Sequence, residues 1–410
     1  VKIIVPALGS RGDVQPYVNL CQGLRRAGHV PVLASLPAVR GLVESHGVSF
    51  AAVGPDVDLA ALTARMWEGA ARFWWIGLLR VMRLGARLIE LAYPDLLAVC
   101  RGADVIVVND TTAGAAEGDQ LGIPWVSATL QPARVPSAKP RAAGLRGRVN
   151  EALWSVVGRM MVAPINGFRR RVGAPLVRNM GSAGITSGGL LLLPVSPVVV
   201  PPDPDWLPCV KQTPFWFPQP DGDFRPPQAL QRFLDAGAPP VVICLGAMSM
   251  SGRTAELAAE TALAAVEASG VRAVVQGWDA ILAGRELPRN AVRAGPLPHA
   301  WLLERSAGIV HHGGAGTTAA ALRAGKPALI VPHIIDQFYW AQRAAELGAG
   351  PGPIPRPRLS VKNLSAGMRR LLEDGALRER AAEIGSRIRA EGNGADRAVC
   401  WITRTGDVPC

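Results

Sequence analysis

His311-His312-Gly313-Gly314-Ala315-Gly316-Thr317-Thr318 opens a stretch that runs on to Pro327-Ala328-Leu329-Ile330-Val331-Pro332-His333-Ile334-Ile335-Asp336-Gln337. Gly308-Ile309-Val310 just before it reads as the end of a buried strand. The glycine turn lets backbone N–H groups come close to an anion. From Thr317 onward the residues read as a helix, so the anion would lie at the positive end of a helix dipole. His311 and His312 add side-chain donors beside it. Ala328–Val331 reads as a second buried strand, and Asp336 and Gln337 beyond its end can accept from and donate to hydroxyl groups. Strand, turn, helix, strand in this order is a βαβ unit.

The same alternation extends outward over the chain. Lys2–Leu8, Val30–Ala34, Ser49–Val53, Asp104–Val108, Trp125–Leu130 and Leu190–Val195 read as strands, several of them continuously apolar as in parallel sheets. Val241–Leu245 and Arg272–Gln276 repeat the pattern in the second half. The 410 residues, 49% of them hydrophobic, suffice for two cores. The expected class is α/β, with two Rossmann-like domains facing across a cleft. The first covers 1–200, a Pro- and aromatic-rich linker 201–227, and the second 228–384. The last part, 385–410, is expected to return to the first domain.

Six cysteines lie far apart with no CxxC pair, which argues against zinc ribbons and disulfide frameworks and for a reducing cytoplasm. No leader is expected ahead of Val1, and the most apolar run, Leu190–Val200, is broken by Pro194 and Pro197. A dinucleotide oxidoreductase is disfavoured because no G-x-G-x-x-G follows the first strand, and a Walker A loop because Pro327 follows Gly325-Lys326. Three DxD strings, Asp56-Val57-Asp58, Asp203-Pro204-Asp205 and Asp221-Gly222-Asp223, lie in polar or Pro-rich loops and read as loop composition. No metal site is expected.

The first strand runs into Gly9-Ser10-Arg11-Gly12-Asp13-Val14-Gln15-Pro16. This tight turn places Asp13 at the start of a helix expected over Gln15–Ala27, where an aspartate is a good N-cap. A carboxylate at a strand end can also accept a proton from a reacting hydroxyl. Val241–Leu245 runs into a second small-residue turn, Gly246-Ala247-Met248-Ser249.

Together these strings resemble the GT-B nucleotide-sugar glycosyltransferases, in particular the sterol glucosyltransferases and the antibiotic (macrolide and glycopeptide) glycosyltransferases. The resemblance implies an inverting, metal-independent transfer of a sugar from a UDP- or dTDP-sugar to a hydroxyl of a hydrophobic small molecule. No cofactor is implied, because the nucleotide-sugar is a substrate. Asp13 matches the family's general base, with Ser10 beside it. His311, His312, Gly313, Gly314, Ala315, Gly316 and Thr317 match its diphosphate-binding turn, Ser249 the second diphosphate-facing loop, and Asp336 and Gln337 the donor-sugar pair. Trp278, Pro298 and His299 fall where the family holds the nucleobase. The apolar segment with Trp67, Trp74, Trp75 and Met82 falls where it lines the acceptor pocket; a buried helix is the other reading of that segment. Plant members carry a Glu eight residues after the first motif His. Ala319 stands there, which favours a deoxyribose donor, although sterol glucosyltransferases also lack the acid and use UDP-glucose. The rival readings are a GT-B-type nucleotide-sugar 2-epimerase and a catalytically silent glycosyltransferase-like partner protein.

The net charge is +12, and the segment Arg134–Arg178 holds ten basic residues and one acid, Glu151. No base-reading or stacking motif accompanies the charge, so a nucleic-acid partner is not expected. The stretch is read either as a solvated surface or as a weak, peripheral contact with an anionic membrane.

Overall fold

The computed structural model describes the chain except residues 59–61, 63–73, 110–111, 138–161, 178–188, 219–223, 246–251, 296, 334–335 and 404–410, and except the side chains of 74–79, 81–82 and 252. Two compact units emerge: Val1–Pro218 with Asn393–Cys410, and Gln219–Gly392.

The first unit is built on a seven-stranded sheet. Its strands are β1 (Lys2–Pro6), β2 (Val30–Ser35), β3 (Ser49–Ala52), β4 (Val105–Val108), β5 (Trp125–Ala128), β6 (Leu191–Pro194) and β7 (Val210–Thr213). They lie in the order β3-β2-β1-β4-β5-β6-β7, every pair parallel. Helices α1 (Arg11–Arg26), α2 (Arg40–Glu44), α3 (Trp74–Cys100) and α4 (Ala115–Leu121) belong to this unit. Successive residues of β1 serve opposite faces: Ile3 and Val5 join α1 residues Val14, Tyr17, Leu20 and Leu24, while Ile4 joins Ile89, Ala92 and Leu96 of α3.

The second unit carries β8 (Val241–Cys244), β9 (Ala273–Gln276), β10 (Ala291–Ala294), β11 (Gly308–His311) and β12 (Ala328–Ile330) in the order β10-β9-β8-β11-β12, again all parallel. Its helices are α5 (Gln228–Asp235), α6 (Gly252–Ser269), α7 (Asp279–Leu282), α8 (His299–Glu304), α9 (Ala315–Arg323), α10 (Asp336–Glu346), α11 (Val361–Glu373) and α12 (Gly375–Ala390). Val241, Ile243, Val310 and Leu329 pack on α6 and α11; Val242, Ile309 and Ile330 pack on the opposite face with Leu302, Ala321 and Ala341. Helices on both faces explain the continuously apolar strands.

Several boundaries differ from the sequence reading. The stretch 201–227 is more than a connector, because Val210–Thr213 pairs with β6 and closes the first sheet. The crossing back falls at Asn393, not 385. Residue 385 lies inside α12, whose Gly385 has no room for a Cβ beside the Gly325 backbone of the second unit. The returning helix is α13 (Gly394–Ile402), which docks on α1. A Cβ on Gly394 would lie 1.8 Å from the Pro214 carbonyl oxygen, so glycine is required there. Arg26 reaches Asp396 at 2.6 Å across the same contact.

Candidate active site

Each sheet reverses its strand order once, between β1 and β4 in the first and between β8 and β11 in the second. Doubly wound sheets bind ligands at the carboxyl ends of the strands flanking such a reversal. The glycine turn after β11 and the glycine turn after β1 stand at these two places.

In the second sheet, Cys244, His311 and Ile330 are level in register. His311 ends β11 and is fully buried. Gly313 N–H donates to its Nδ1 at 3.0 Å, which places the proton of the neutral ring on Nε2. Burial, together with His312 and His299, holds its pKa well below the usual 6.5. The chain then turns at Gly313, whose φ is +92°; a Cβ there would come within 2.8 Å of Ile330 Cγ2 and 3.0 Å of the Gln337 carbonyl oxygen. Gly314 is the N-cap of α9, which begins at Ala315, two residues earlier than expected. Ala315 and Gly316 therefore join Thr317 in the first turn, where N–H groups have no helical acceptor. A Cβ on Gly316 would meet nothing within 4 Å among the described residues, so this turn is open on that side. Thr318 Oγ donates to the Gly314 carbonyl at 2.9 Å and so faces away from that role.

Four imidazole nitrogens at these strand ends are shielded from solvent and meet no close hydrogen-bond partner among the described residues: His311 Nε2, His312 Nδ1 and both nitrogens of His333, with the backbone of Cys244 and Leu245 nearest to the last two rings. Buried polar atoms are normally paired, so such a cluster calls for a ligand. Beyond β12, Gln337 is buried and its Oε1 accepts from the His333 backbone N–H at 2.8 Å; Asp336 is the first residue of α10. Pro298 and His299 form the start of α8, the first as N-cap. Gly277 and Trp278 both have positive φ, +86° and +59°, directly after β9. A tryptophan in this conformation is strained by about 1–2 kcal/mol. Trp278 is 8% exposed and packs with Leu282 and Ala255, so it is a core residue as well as a strand-end residue.

In the first sheet, Ser10 is the N-cap of α1, which begins at Arg11 rather than Gln15. Asp13 is thus the third helical residue, not the cap itself. Its Oδ2 accepts from Ser10 N–H at 2.8 Å and from Ser10 Oγ at 2.7 Å. A Cβ on Gly9 would lie 2.6 Å from that same oxygen, so the glycine makes the turn that receives the carboxylate. Asp13 is exposed at the strand-end side of the sheet.

The family profile "Erythromycin biosynthesis protein CIII-like, C-terminal domain" matches residues 262–396. The O-mycaminosyltylonolide 6-deoxyallosyltransferase of Streptomyces fradiae is 32% identical over 98% of this chain and 97% of its own. The chain belongs to the antibiotic and sterol glycosyltransferase family. A sterol 3-beta-glucosyltransferase of Arabidopsis thaliana is 32% identical over 91% of this chain, which spans 63% of that protein's length. The fold is that of Streptomyces sp. SF2575 glycosyltransferase SsfS6, solved with thymidine diphosphate: TM-score 0.67, 20% identity, 98% of this chain and 99% of that one covered. The architecture is therefore GT-B.

Not every expected position of this glycosyltransferase can be placed. Ser249 and Trp67 lie outside the described residues, as do the side chains of Trp74, Trp75 and Met82 on α3 and the string Asp221-Gly222-Asp223. Asp203 Oδ1 accepts from Asp205 N–H at 2.9 Å, a local turn that accounts for that DxD string. Much of the basic stretch, 138–161, is likewise outside the described residues. Arg169, expected at a solvent- or lipid-facing surface, is 4% exposed and pairs with Asp119 at 2.5 Å. Arg171 is exposed and pairs with Glu90 at 2.7 Å. No helix among the described residues is long and apolar enough to cross a membrane.

Two groups went unnoticed in the sequence. His333 sits inside the quoted motif, but nothing in a lone histidine announces two shielded ring nitrogens. Glu117, the third residue of α4, accepts from Gly114 N–H at 2.9 Å and is 1% exposed. Burial raises its pKa to about 7, against the pull of that hydrogen bond and of Arg169. The spacing Gly114-x-x-Glu117 was the available signal, that of a capping box.

Proposed function

We propose that this glycosyltransferase moves a hexose from a nucleoside-diphosphate sugar to a hydroxyl of a hydrophobic small molecule, with inversion at the anomeric carbon and without a metal. The observation that carries the donor half is the group of shielded imidazole nitrogens, without a close hydrogen-bond partner among the described residues, beside the open first turn of α9. The diphosphate takes the N–H groups of Ala315, Gly316 and Thr317, and His312 donates beside it. His311 holds the turn through Gly313. As the anomeric bond to the diphosphate breaks, its growing negative charge meets preorganised donors and a helix N-terminus. Asp336 and Gln337 take sugar hydroxyls, and Trp278, Pro298 and His299 border the base.

Asp13 accepts the acceptor hydroxyl proton while the oxygen attacks the anomeric carbon on the face opposite the leaving group. Its position at the strand-order reversal of the first sheet supports this role. Thymidine is the favoured nucleoside: the relative of Streptomyces fradiae transfers a deoxyhexose, and the neighbour SsfS6 was solved with thymidine diphosphate. The test is mass spectrometry after incubating the protein with UDP- and dTDP-sugars and a panel of hydrophobic alcohols, with and without EDTA. A hexose mass added to a hydrophobic acceptor, undiminished by EDTA, is expected. Activity that dies in EDTA and returns with magnesium or manganese would overturn the metal-free reading.

A further inference from the structure

His333 follows β12 by three residues, past Val331 and Pro332. Val331 N–H donates to the His311 carbonyl at 2.8 Å, so the sheet continues to that level and His333 stands just beyond its edge. Its backbone is tied by Gln337 Oε1, which links it to the start of α10, where Asp336 and Gln337 lie. Its ring stands among His312, Arg356 and the Leu245 carbonyl at the end of β8, and burial lowers its pKa to about 4. The ring is therefore neutral near pH 7, with one N–H donor, for which the Leu245 carbonyl is the nearby acceptor, and one bare nitrogen acceptor that is shielded and meets no donor among the described residues.

The ligand chemistry follows from this donor set. A phosphate oxygen offers only acceptors and leaves the bare ring nitrogen unsatisfied. A sugar hydroxyl is both donor and acceptor and satisfies either nitrogen. His312, in contrast, lies over the glycine turn, where a Cβ on Gly314 would be 2.6 Å from its Nε2. We propose that His333 is a donor-sugar contact, its bare ring nitrogen accepting a hydrogen bond from a hexose hydroxyl, so that it selects donors hydroxylated at the carbon it faces. The assignment rests on the donor-site reading above.

Isothermal titration of wild type, His333→Phe and His333→Asn with dTDP, dTDP-glucose and singly deoxygenated dTDP-glucoses tests it. The loss of one hydrogen bond corresponds to about a tenfold change in affinity. His333→Phe is expected to weaken dTDP-glucose about tenfold and leave dTDP unchanged; His333→Asn, which keeps a donor and an acceptor, is expected to recover part of the loss. One deoxygenated sugar is expected to bind both His333→Phe and wild type with equal affinity. Equal loss for dTDP and dTDP-glucose, or no loss for either, would overturn the proposal, the first result placing the ring at the phosphates. Wild type that binds no dTDP or UDP species would remove the donor site itself, an outcome distinct from both.

Discussion

Asp13 has two duties that substitution can separate. Its carboxylate closes the first turn of α1 through Ser10, and the same carboxylate is the proposed base. Asparagine keeps an oxygen to accept the Ser10 N–H but cannot take a proton. Asp13→Asn is therefore expected to keep the wild-type melting temperature and to lower turnover roughly 10²–10⁴-fold. Asp13→Ala should lose the same activity and about 1 kcal/mol of stability as well. Wild-type turnover in purified Asp13→Asn would reduce Asp13 to its part in the capping box of α1. The string around Asp13 was legible because its residue types are unusual together. Its helical position was not, because a serine three residues earlier caps equally well and only the backbone decides between them. The two adjacent histidines pose a similar ambiguity. Consecutive residues near a strand end serve opposite sides, so the sequence could not say which ring is enclosed within the unit and which lies over the turn.

At the scale of elements, the central strands of both sheets were readable because burial on two faces demands unbroken apolar runs. The edge strands β7 and β10 were not. Val210-Lys211-Gln212-Thr213 and Ala291-Val292-Arg293-Ala294 are half-exposed and carry polar side chains that an edge tolerates. The returning helix α13 was foreseeable in kind but not in place, since α12 continues the helical pattern across the expected boundary. Its docking depends on small residues: Gly394 against Pro214, and Gly23 of α1, where a Cβ would lie 3.2 Å from that of Ala395. Gly394→Ala is expected to push α13 off its seat and destabilise the first unit by about 1–3 kcal/mol or more, the range for overpacking. Differential scanning calorimetry checks this; an unshifted thermogram would mean that the helix contributes little to the unit.

At the scale of the whole molecule, two buried groups, one in each unit, respond to pH in opposite senses. Glu117 in the first unit has its pKa raised from 4.5 to about 7. Between these values the native state holds a proton that the unfolded chain releases, so its contribution is full below about pH 4.5 and is lost as pH rises through 7. His333 in the second unit has its pKa lowered from 6.5 to about 4. There the unfolded chain binds the extra proton, so its contribution is full above 6.5 and is lost as pH falls toward 4. Glu117→Gln keeps an acceptor for Gly114 without a charge. The melting temperature of wild type relative to this variant is expected to fall between pH 5 and pH 8; a constant difference would contradict the buried-acid account. A single displacement assisted by Asp13 fixes the anomeric configuration of the product, which is read from the proton coupling at the transferred sugar's first carbon by NMR. An α-configured nucleoside-diphosphate hexose is expected to yield a β-glycoside. An α-glycoside would mean retention, and with it a mechanism in which Asp13 does not act as the base of one in-line step.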